Sequence, residues 1–452
     1  MNKYLLTFSL LACLPAWIHA ESTPMPLAKS YWQSAEFVKS FHASYRTQAR
    51  IEPYITSEEK VVLQQVQKAM VQGQRKSALQ AIKSSQKTQG SAALLFNLGN
   101  IHVEEGHLES ARDAYQKALK IYPSFRRAHK NLGMVQMRLE QQDQAMQSLL
   151  KAVELGDMSA GTLGLLGYCH LESGSHASAL QAYQMAQVTD PNNVSWKAGI
   201  AQCLLAMNKL REGVSMIAEV YQLSPEEDGY AMLYVHALIE DQQNEKAIAL
   251  LELLKKQQRL GFAQRCLLAQ LHTSAGDMRM AKPHVEELRK AGEEIQLSPF
   301  LRVIESLASI AEWQYALDCL LQVEELERSE AQSQQYQSLK AQCMAQLGMQ
   351  EAEPIIESLL TQNPLDGAML LLMAKLQNQL GKPAAAEVYY ERAQLLDSHA
   401  YRAYLAHGAL LVDQKRYQSA LGKYQAAQKI KATPEQAQYI AELSRVVGTS
   451  GL

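Results

Sequence analysis

Apolar residues recur along most of this chain at intervals of three and four, the spacing of one face of an α-helix. The pattern is clearest between Ala92 and Phe125, where a first helical face carries Leu95, Leu98, Gly99 and His102. Gly106 interrupts the pattern, and a second face carries Ala111, Tyr115 and Ala118 before Pro123. Since proline ends a helix and glycine favours a turn, this stretch predicts a helical hairpin.

The same pattern repeats with a period of about 34 residues. Its small and aromatic positions recur as Leu132, Gly133 and Ala145, as Leu166, Gly167, Ala179 and Tyr183, and as Gly408, Ala420 and Tyr424. We expect Gly99 and Ala111 to lie where the two helices cross, since small side chains let backbones approach closely. One hairpin cannot bury its apolar face alone, so successive hairpins must stack.

These positions resemble the tetratricopeptide repeat (TPR), whose unit reads W-x2-L-G-x2-Y, then A-x3-F and a terminal proline. The resemblance covers residues 59–434 and implies an all-α solenoid, a right-handed superhelix of about eleven repeats. Phase slips near Ile295–Leu297 and Ser329–Ser333 suggest sub-arrays 59–295 and 297–434. Residues 435–452 are interpreted as a capping helix and tail.

The N-terminus predicts export. Residues 1–20 have a basic Lys3, an apolar run too short to span a bilayer of about 30 Å, and Ala20 at a cleavage position. An alternative is lipid attachment at Cys13. Residues 21–58 form a leader, in which Tyr31–Tyr45 places aromatic residues at steps of four. We interpret this stretch as an amphipathic helix that caps the first repeat; a partner-docking helix is the alternative.

Composition excludes several classes. The net charge of −2 gives no basic stripe for nucleic acid, and no later segment is apolar enough to cross a membrane. One basic cluster, made of Arg126, Arg127, Lys130 and Arg138, predicts a solvated or partner-facing surface. Beyond Cys13, the remaining cysteines are odd in number, and the same-slot pair Cys169 and Cys203 should lie about 8–10 Å apart, so we predict buried free thiols.

No catalytic motif is present, so we predict no enzyme, no cofactor and no metal site. His102, His170 and His272 each hold the tyrosine position of the repeat, which favours packing over metal ligation. An active site that forms only in an oligomer is the alternative.

The TPR resemblance also implies a concave groove lined by the first helices. The groove positions, transferred residue by residue, are Phe96, Asn100, Val103, Lys130, Met134, Met137, Arg138, Tyr168, Leu171, Glu172, Gln202, Leu205, Met232, His236 and Ile239. This apolar, methionine-containing strip suits an extended or helical segment of another protein. The alternative is that several of these side chains contact a neighbouring helix instead. The lysine–asparagine clamp of chaperone-binding TPR domains is incomplete here.

The leader followed by degenerate repeats is similar to periplasmic TPR proteins associated with TonB–ExbB–ExbD energy-transduction systems. This second resemblance implies a periplasmic adaptor with TonB–ExbB–ExbD components as partners. The alternative is an assembly factor for envelope polysaccharide or pilus machinery.

Overall fold

The computed structural model describes residues 52–85 and 87–450, with the side chains of Glu293, Thr449 and Ser450 left aside. Within these residues the regular structure is entirely helical, which confirms the predicted all-α class. The predicted signal peptide and the aromatic stretch of the leader lie outside the described residues. The chain divides into two compact units, and the boundary lies between Ala247 and Ile248. The sequence pattern placed a division later, near residues 295–297.

The N-terminal unit alternates first and second helices of successive hairpins. The helices are α1 (Ser57–Val71), α2 (Arg75–Ser84), α3 (Ala92–Glu104), α4 (Leu108–Ile121), α5 (Arg126–Arg138), α6 (Gln142–Glu154), α7 (Ala160–Glu172), α8 (His176–Thr189), α9 (Val194–Ala206), α10 (Leu210–Leu223) and α11 (Asp228–Glu240). A short 3-10 turn, Thr88–Gly90, precedes α3. The unit boundary falls inside α12 (Asn244–Lys256).

The C-terminal unit continues the alternation. Its helices are α13 (Phe262–Ser274), α14 (Met278–Arg289), α15 (Leu297–Ser309), α16 (Trp313–Gln322), α17 (Glu330–Gln346), α18 (Ala352–Gln362), α19 (Gly367–Gln379), α20 (Pro383–Gln394), α21 (Asp397–Asp413), α22 (Tyr417–Ile430) and α23 (Pro434–Ser450). A 3-10 turn, Gly292–Glu294, precedes α15. Helix α23 packs against α22. The number of repeats stays a prediction.

Each turn inside a hairpin contains one residue with positive φ. These residues are Gly73, Gly106, Glu140, Gly174, Asn208, Gln242, Gly276, Ala311, Gly348, Gly381 and Lys415. Most are spaced by 33 or 34 positions, but Ala311 follows Gly276 by 35 positions and Gly348 follows Ala311 by 37. The extra residues therefore lie in the two regions where the sequence pattern slips, and the left-handed turn keeps the hairpin geometry constant around them.

Glycines of several first helices make room for side chains of the second helices. A Cβ on Gly99 would lie 2.5 Å from Cε1 of Tyr115, and one on Gly133 would lie 2.7 Å from Cγ of Leu149. At Gly133 the backbone oxygen of Ala145 lies 3.3 Å from such a Cβ, so the small residue of the second helix is close there as well. The expected proximity of Gly99 and Ala111 stays a prediction. The glycine accommodates a large side chain, which fills the space between the helices.

The first helix of the array begins with a capping box. Thr56 accepts from the Glu59 backbone at 3.3 Å, and the Glu59 carboxylate accepts from the Thr56 backbone at 2.6 Å. Two donors that the helix start leaves unpaired are thereby satisfied. This cap determines where α1 begins and hence where the segment before it reaches the repeats.

Candidate functional site

The predicted groove residues all lie on the first helices of the N-terminal unit, α3, α5, α7, α9 and α11. We call the surface that they form the first-helix face. Seven are buried, namely Phe96, Asn100, Met134, Met137, Tyr168, Leu171 and Gln202. Seven are half-buried, namely Val103, Lys130, Glu172, Leu205, Met232, His236 and Ile239. Arg138 is exposed.

A cavity of about 310 Å³ opens between α3, α5 and the turn before α7. Its wall contains three of the predicted groove residues, Phe96, Lys130 and Met134. Asn131 and the turn 156–159 complete the wall together with Arg126 and Arg127. The cavity thus combines an aromatic ring and a thioether with several cationic groups.

Arg127, in the wall of this cavity, makes an ion pair and two cation–π contacts. Its Nε lies 2.7 and 2.8 Å from the two carboxylate oxygens of Glu52, and its Nη2 also donates to that carboxylate. The guanidinium carbon lies 5.5 Å from the ring centre of Phe96 and 6.0 Å from that of Phe125. Stacking and bidentate pairing together hold the arginine in one orientation.

The basic cluster, predicted to be a solvated or partner-facing surface, is therefore only partly solvated. Besides the paired Arg127, Lys130 donates to Ser159 Oγ at 3.1 Å and lies 3.9 Å from Asp157 Oδ2. Arg126 is half-buried and Arg138 alone is exposed. The sequence could not show this pairing, because Glu52 precedes the repeats and follows no period.

Asn100 connects this cavity to the interior of the hairpin. Its Oδ1 accepts from Tyr115 Oη at 2.7 Å and from Asn131 Nδ2 at 2.9 Å. The opposite end of the carboxamide, Nδ2, has no hydrogen-bond partner among the described residues. Asn100 is only 4% exposed, so the structure holds an unsatisfied buried donor at a predicted groove position.

A histidine cluster in the C-terminal unit contains the residues that come nearest to a metal-ligand set. Glu252 Oε1 lies 2.9 Å from His284 Nε2 and 3.3 Å from His272 Nε2, and the two imidazole rings stack at 5.1 Å. Lys255 Nζ lies 2.8 Å from His284 Nδ1. An ammonium group can only donate, so Nδ1 accepts and Nε2 carries the proton that Glu252 receives.

This proton arrangement makes the cluster a complete hydrogen-bond network. A metal ion at His284 Nε2 would have to displace that proton and turn Lys255 away. Burial is the main cause that lowers the pKa of His284, and the Lys255 charge adds to it. Packing of His272 in the tyrosine position, as predicted, is consistent with this arrangement. A second set, His102, Glu105 and His107, also brings ligand atoms together, and there His107 is exposed.

The five cysteines of the described residues provide no reactive thiol. Cys169, Cys203, Cys266, Cys319 and Cys343 are all buried and free, which confirms that prediction. Burial raises the pKa of Cys169 and of Cys203 to about 12. Since the thiolate is the nucleophilic form, these groups are inert near neutral pH.

Comparison with known families agrees with the hairpin geometry. The tetratricopeptide repeat family matches residues 92–125 with one of its profiles and residues 131–194 and 371–437 with a second. The chain contains tetratricopeptide repeats. The TPR segments occur in both compact units, and they suggest a scaffold for protein–protein interaction. Proteins of this repeat family are in general non-enzymatic.

Several solved TPR structures are similar to parts of the chain. Residues 41 to the end of MamA from Desulfovibrio magneticus RS-1 are 19% identical, covering 39% of this chain and 99% of that one, with a TM-score of 0.35. YrrB, described as a TPR protein with an unusual peptide-binding site, is 23% identical over 38% and 88% of the chains, with a TM-score of 0.34. A TPR protein from Parabacteroides merdae is 15% identical over 56% and 98%, with a TM-score of 0.41.

Among the described helices, none combines the length and the apolar character that a membrane span requires.

Proposed function

We propose that this TPR protein is a non-enzymatic scaffold that binds an extended or helical segment of another protein on the first-helix face. The cavity between α3, α5 and the turn before α7 carries the proposal, because three of the predicted groove residues, Phe96, Lys130 and Met134, line it. Asn100 is one hydrogen bond from Asn131, a wall residue of the adjoining cavity.

The cavity favours a bound segment of mixed chemistry. Phe96 and Met134 offer an aromatic ring and a flexible thioether to an apolar side chain. Arg126 and Lys130 lie at the same cavity and favour an acidic side chain. A partner segment with one acidic and one bulky apolar residue in succession fits both the cationic and the apolar part of the cavity wall.

Features of the sequence support a proposal for the cellular setting. The predicted signal in residues 1–20 supports export to the periplasm, with lipid attachment at Cys13 as the alternative. Similarity of the leader and repeats to TonB-associated TPR proteins supports TonB–ExbB–ExbD components as partners. An assembly factor for envelope polysaccharide or pilus machinery would use the same face and is the second candidate.

Site-specific photo-crosslinking in intact cells tests the function. The residue p-benzoylphenylalanine replaces Lys130 at the cavity or, as a matched control, Lys151 on the second helix α6. We expect Lys130 adducts with TonB–ExbB–ExbD components and none from Lys151. Adducts with pilus or polysaccharide assembly proteins would favour the second candidate. Identical adducts from both positions, or none from Lys130, would overturn partner binding on this face.

Cell fractionation tests the location. We expect a mature chain that begins at Glu21 and is released with the periplasmic contents. A chain that retains residues 1–20 and remains in the cytoplasm would refute export. A mature chain that begins with an acylated Cys13 would establish the lipid-anchored alternative.

A further inference from the structure

The turn between α3 and α4 brings together three side chains that can ligate a metal ion. His102 lies in the last turn of α3, and Glu105 and His107 follow before α4 begins. Each offers one ligand atom, and these atoms lie within 4.8 Å of one another. The backbone holds them there, because Gly106 has a φ of +79° and the His107 N–H donates to the His102 carbonyl at 2.9 Å.

The distances in this turn suit a tetrahedral zinc ion. His107 Nδ1 lies 3.4 Å from Glu105 Oε2. Zinc bonds of about 2.0–2.2 Å to nitrogen and oxygen place neighbouring tetrahedral ligands about 3.3–3.6 Å apart, so this pair already has the required separation. A ring nitrogen of His102 lies somewhat farther out, within the 4.8 Å limit. Because the His107 side chain is 63% exposed, it has room to close the remaining gap.

The buried imidazole of His102 has an unmet bonding capacity. Only 8% of His102 is exposed, and its Nδ1 has no hydrogen-bond partner among the described residues. Packing in the tyrosine position, which the sequence favours for His102, does not satisfy this nitrogen. Buried polar atoms without a partner are rare in folded proteins, and an ion is one of the few explanations. Rotation about χ2 is broad for histidine, so either ring nitrogen can be turned towards the ion.

The surroundings of this set differ from those of the C-terminal histidine cluster. There, the Lys255 ammonium lies 2.8 Å from His284 Nδ1, and its charge opposes a bound cation. In the turn, the Glu105 carboxylate forms its ion pair with His107 and adds a negative charge that attracts a cation. The positive charge of Lys83 acts on His102, but Lys83 is exposed and is therefore screened by water and salt.

A nearly equivalent turn lies two repeats farther along the chain. Between α7 and α8 it contains His170, Glu172 and His176, the same three residue types with a different spacing. Among the described residues, the ligand atoms of this second turn do not converge as those of the first do. The second turn therefore provides a matched control for the first.

We propose that His102, Glu105 and His107 bind a zinc ion in the turn between α3 and α4. Two imidazoles and one carboxylate form a ligand set that suits zinc, whereas calcium and magnesium prefer oxygen ligands alone. Water completes the tetrahedron. The ion ties the end of α3 to the start of α4 and stabilises the folded chain, since the unfolded chain does not hold the three ligands together. This site does not rest on the proposed function.

Calorimetric titration of the mature chain with zinc chloride at pH 7.5 tests the site, after removal of bound metal with a chelator. We expect about one zinc ion per chain. His107→Ala should weaken binding at least tenfold, because even the loss of an outer hydrogen-bond partner of a ligand costs about 10–100-fold in metal affinity. Glu105→Gln should act in the same direction, and His176→Ala should leave binding unchanged. Absence of binding by the parent chain, or equal weakening by His107→Ala and His176→Ala, would overturn the proposal.

A further variant and a spectroscopic measurement exclude other zinc sites. His284→Gln, in the C-terminal cluster, should leave zinc binding unchanged; loss of the zinc in that variant alone would overturn the assignment. X-ray absorption by the zinc complex should show nitrogen and oxygen ligands at about 2.0–2.2 Å. A sulfur shell at about 2.3 Å would assign the ion to a cysteine and refute the site. Zinc should also raise the melting temperature of the parent chain and not that of His107→Ala; equal shifts in both would contradict binding in this turn.

Discussion

The ring of Tyr115 lies directly against the backbone of Gly99, so that no room remains for a side chain there. A Cβ at position 99 would lie 2.5, 2.7 and 2.9 Å from three ring atoms. The ring cannot retreat, because Tyr115 is fully buried and its hydroxyl donates to Asn100. The same relationship recurs between Gly408 and Tyr424, where the nearest ring atom is 2.9 Å away. In each hairpin the glycine and the tyrosine that packs on it are therefore one packing unit.

Gly99→Ala tests that unit. We expect the free energy of unfolding to fall by about 1–3 kcal/mol, because the added methyl overpacks the hairpin. Urea denaturation followed by circular dichroism measures the change. Gly90→Ala is the matched control, since no atom lies within 4 Å of its added methyl, and it should change stability by less than about 0.5 kcal/mol. Equal losses in both variants would contradict the packing argument.

Ala311→Gly should stabilise the chain. Ala311 has a φ of +65° in the turn between α15 and α16, where an alanine costs about 1–2 kcal/mol relative to its ordinary conformations. Glycine removes that cost but has greater freedom in the unfolded chain, so we expect a net gain of about 0.5–1 kcal/mol. Differential scanning calorimetry measures the shift in melting temperature. Ala426→Gly, inside α22, should show the opposite sign.

Sequence periodicity identified the helices and the turns well, for a physical reason. Packing in each hairpin repeats every 34 residues or so, and Gly106, Gly174 and Gly381 mark turns that need positive φ. Glu140, Asn208 and Lys415 occupy the same turn conformation without a glycine. Their turns could be located only by counting from neighbouring repeats.

The candidate site was predicted less completely. Periodicity indicates which helix and which face a residue occupies, but it cannot give the depth of burial. Leu98, on the predicted first helical face, is half-buried, while Met134 and Tyr168, expected to line a groove, are buried. The Glu52–Arg127 pair joins residues 75 positions apart and follows no repeat, so only the structure could identify it.

The cysteines should be unreactive in the native chain. Burial raises the pKa of Cys266 and Cys319 to about 12 as well, so almost no thiolate exists at pH 7. We expect Ellman's reagent to label less than about one thiol per chain in the native state at pH 7. In 6 M guanidinium all five described cysteines should react. Rapid native labelling, or a Cys169–Cys203 disulfide found by mass spectrometry, would contradict this prediction.

Stability should fall as the solution is acidified below pH 6.5. Burial is the main cause that lowers the pKa of His102, His284 and His407 from the ordinary value of 6.5. These side chains are neutral in the folded chain and bind protons more readily in the unfolded chain. Their contribution is therefore fully present above pH 6.5 and is lost as the pH falls through the lowered values. Urea midpoints at pH 7.5, 6.5, 5.5 and 5.0 measure the loss.

The stability that the carboxylates contribute is lost at a lower pH than the stability that the histidines contribute, so the two losses can be measured separately. Burial raises the pKa of Glu387, but the hydrogen bond and charge of Arg416 together with His407 more than offset it, so the pKa lies below 4.5. Glu387 therefore contributes stability that is lost only below about pH 4.5. His284→Gln should keep a hydrogen-bonding side chain beside Glu252 while removing one titrating group. We expect it to flatten the decline between pH 6.5 and 5.0 and to leave the decline below pH 4.5 unchanged. A variant that declines as steeply as the parent chain between pH 6.5 and 5.0 would show that His284 is not neutral in the folded state.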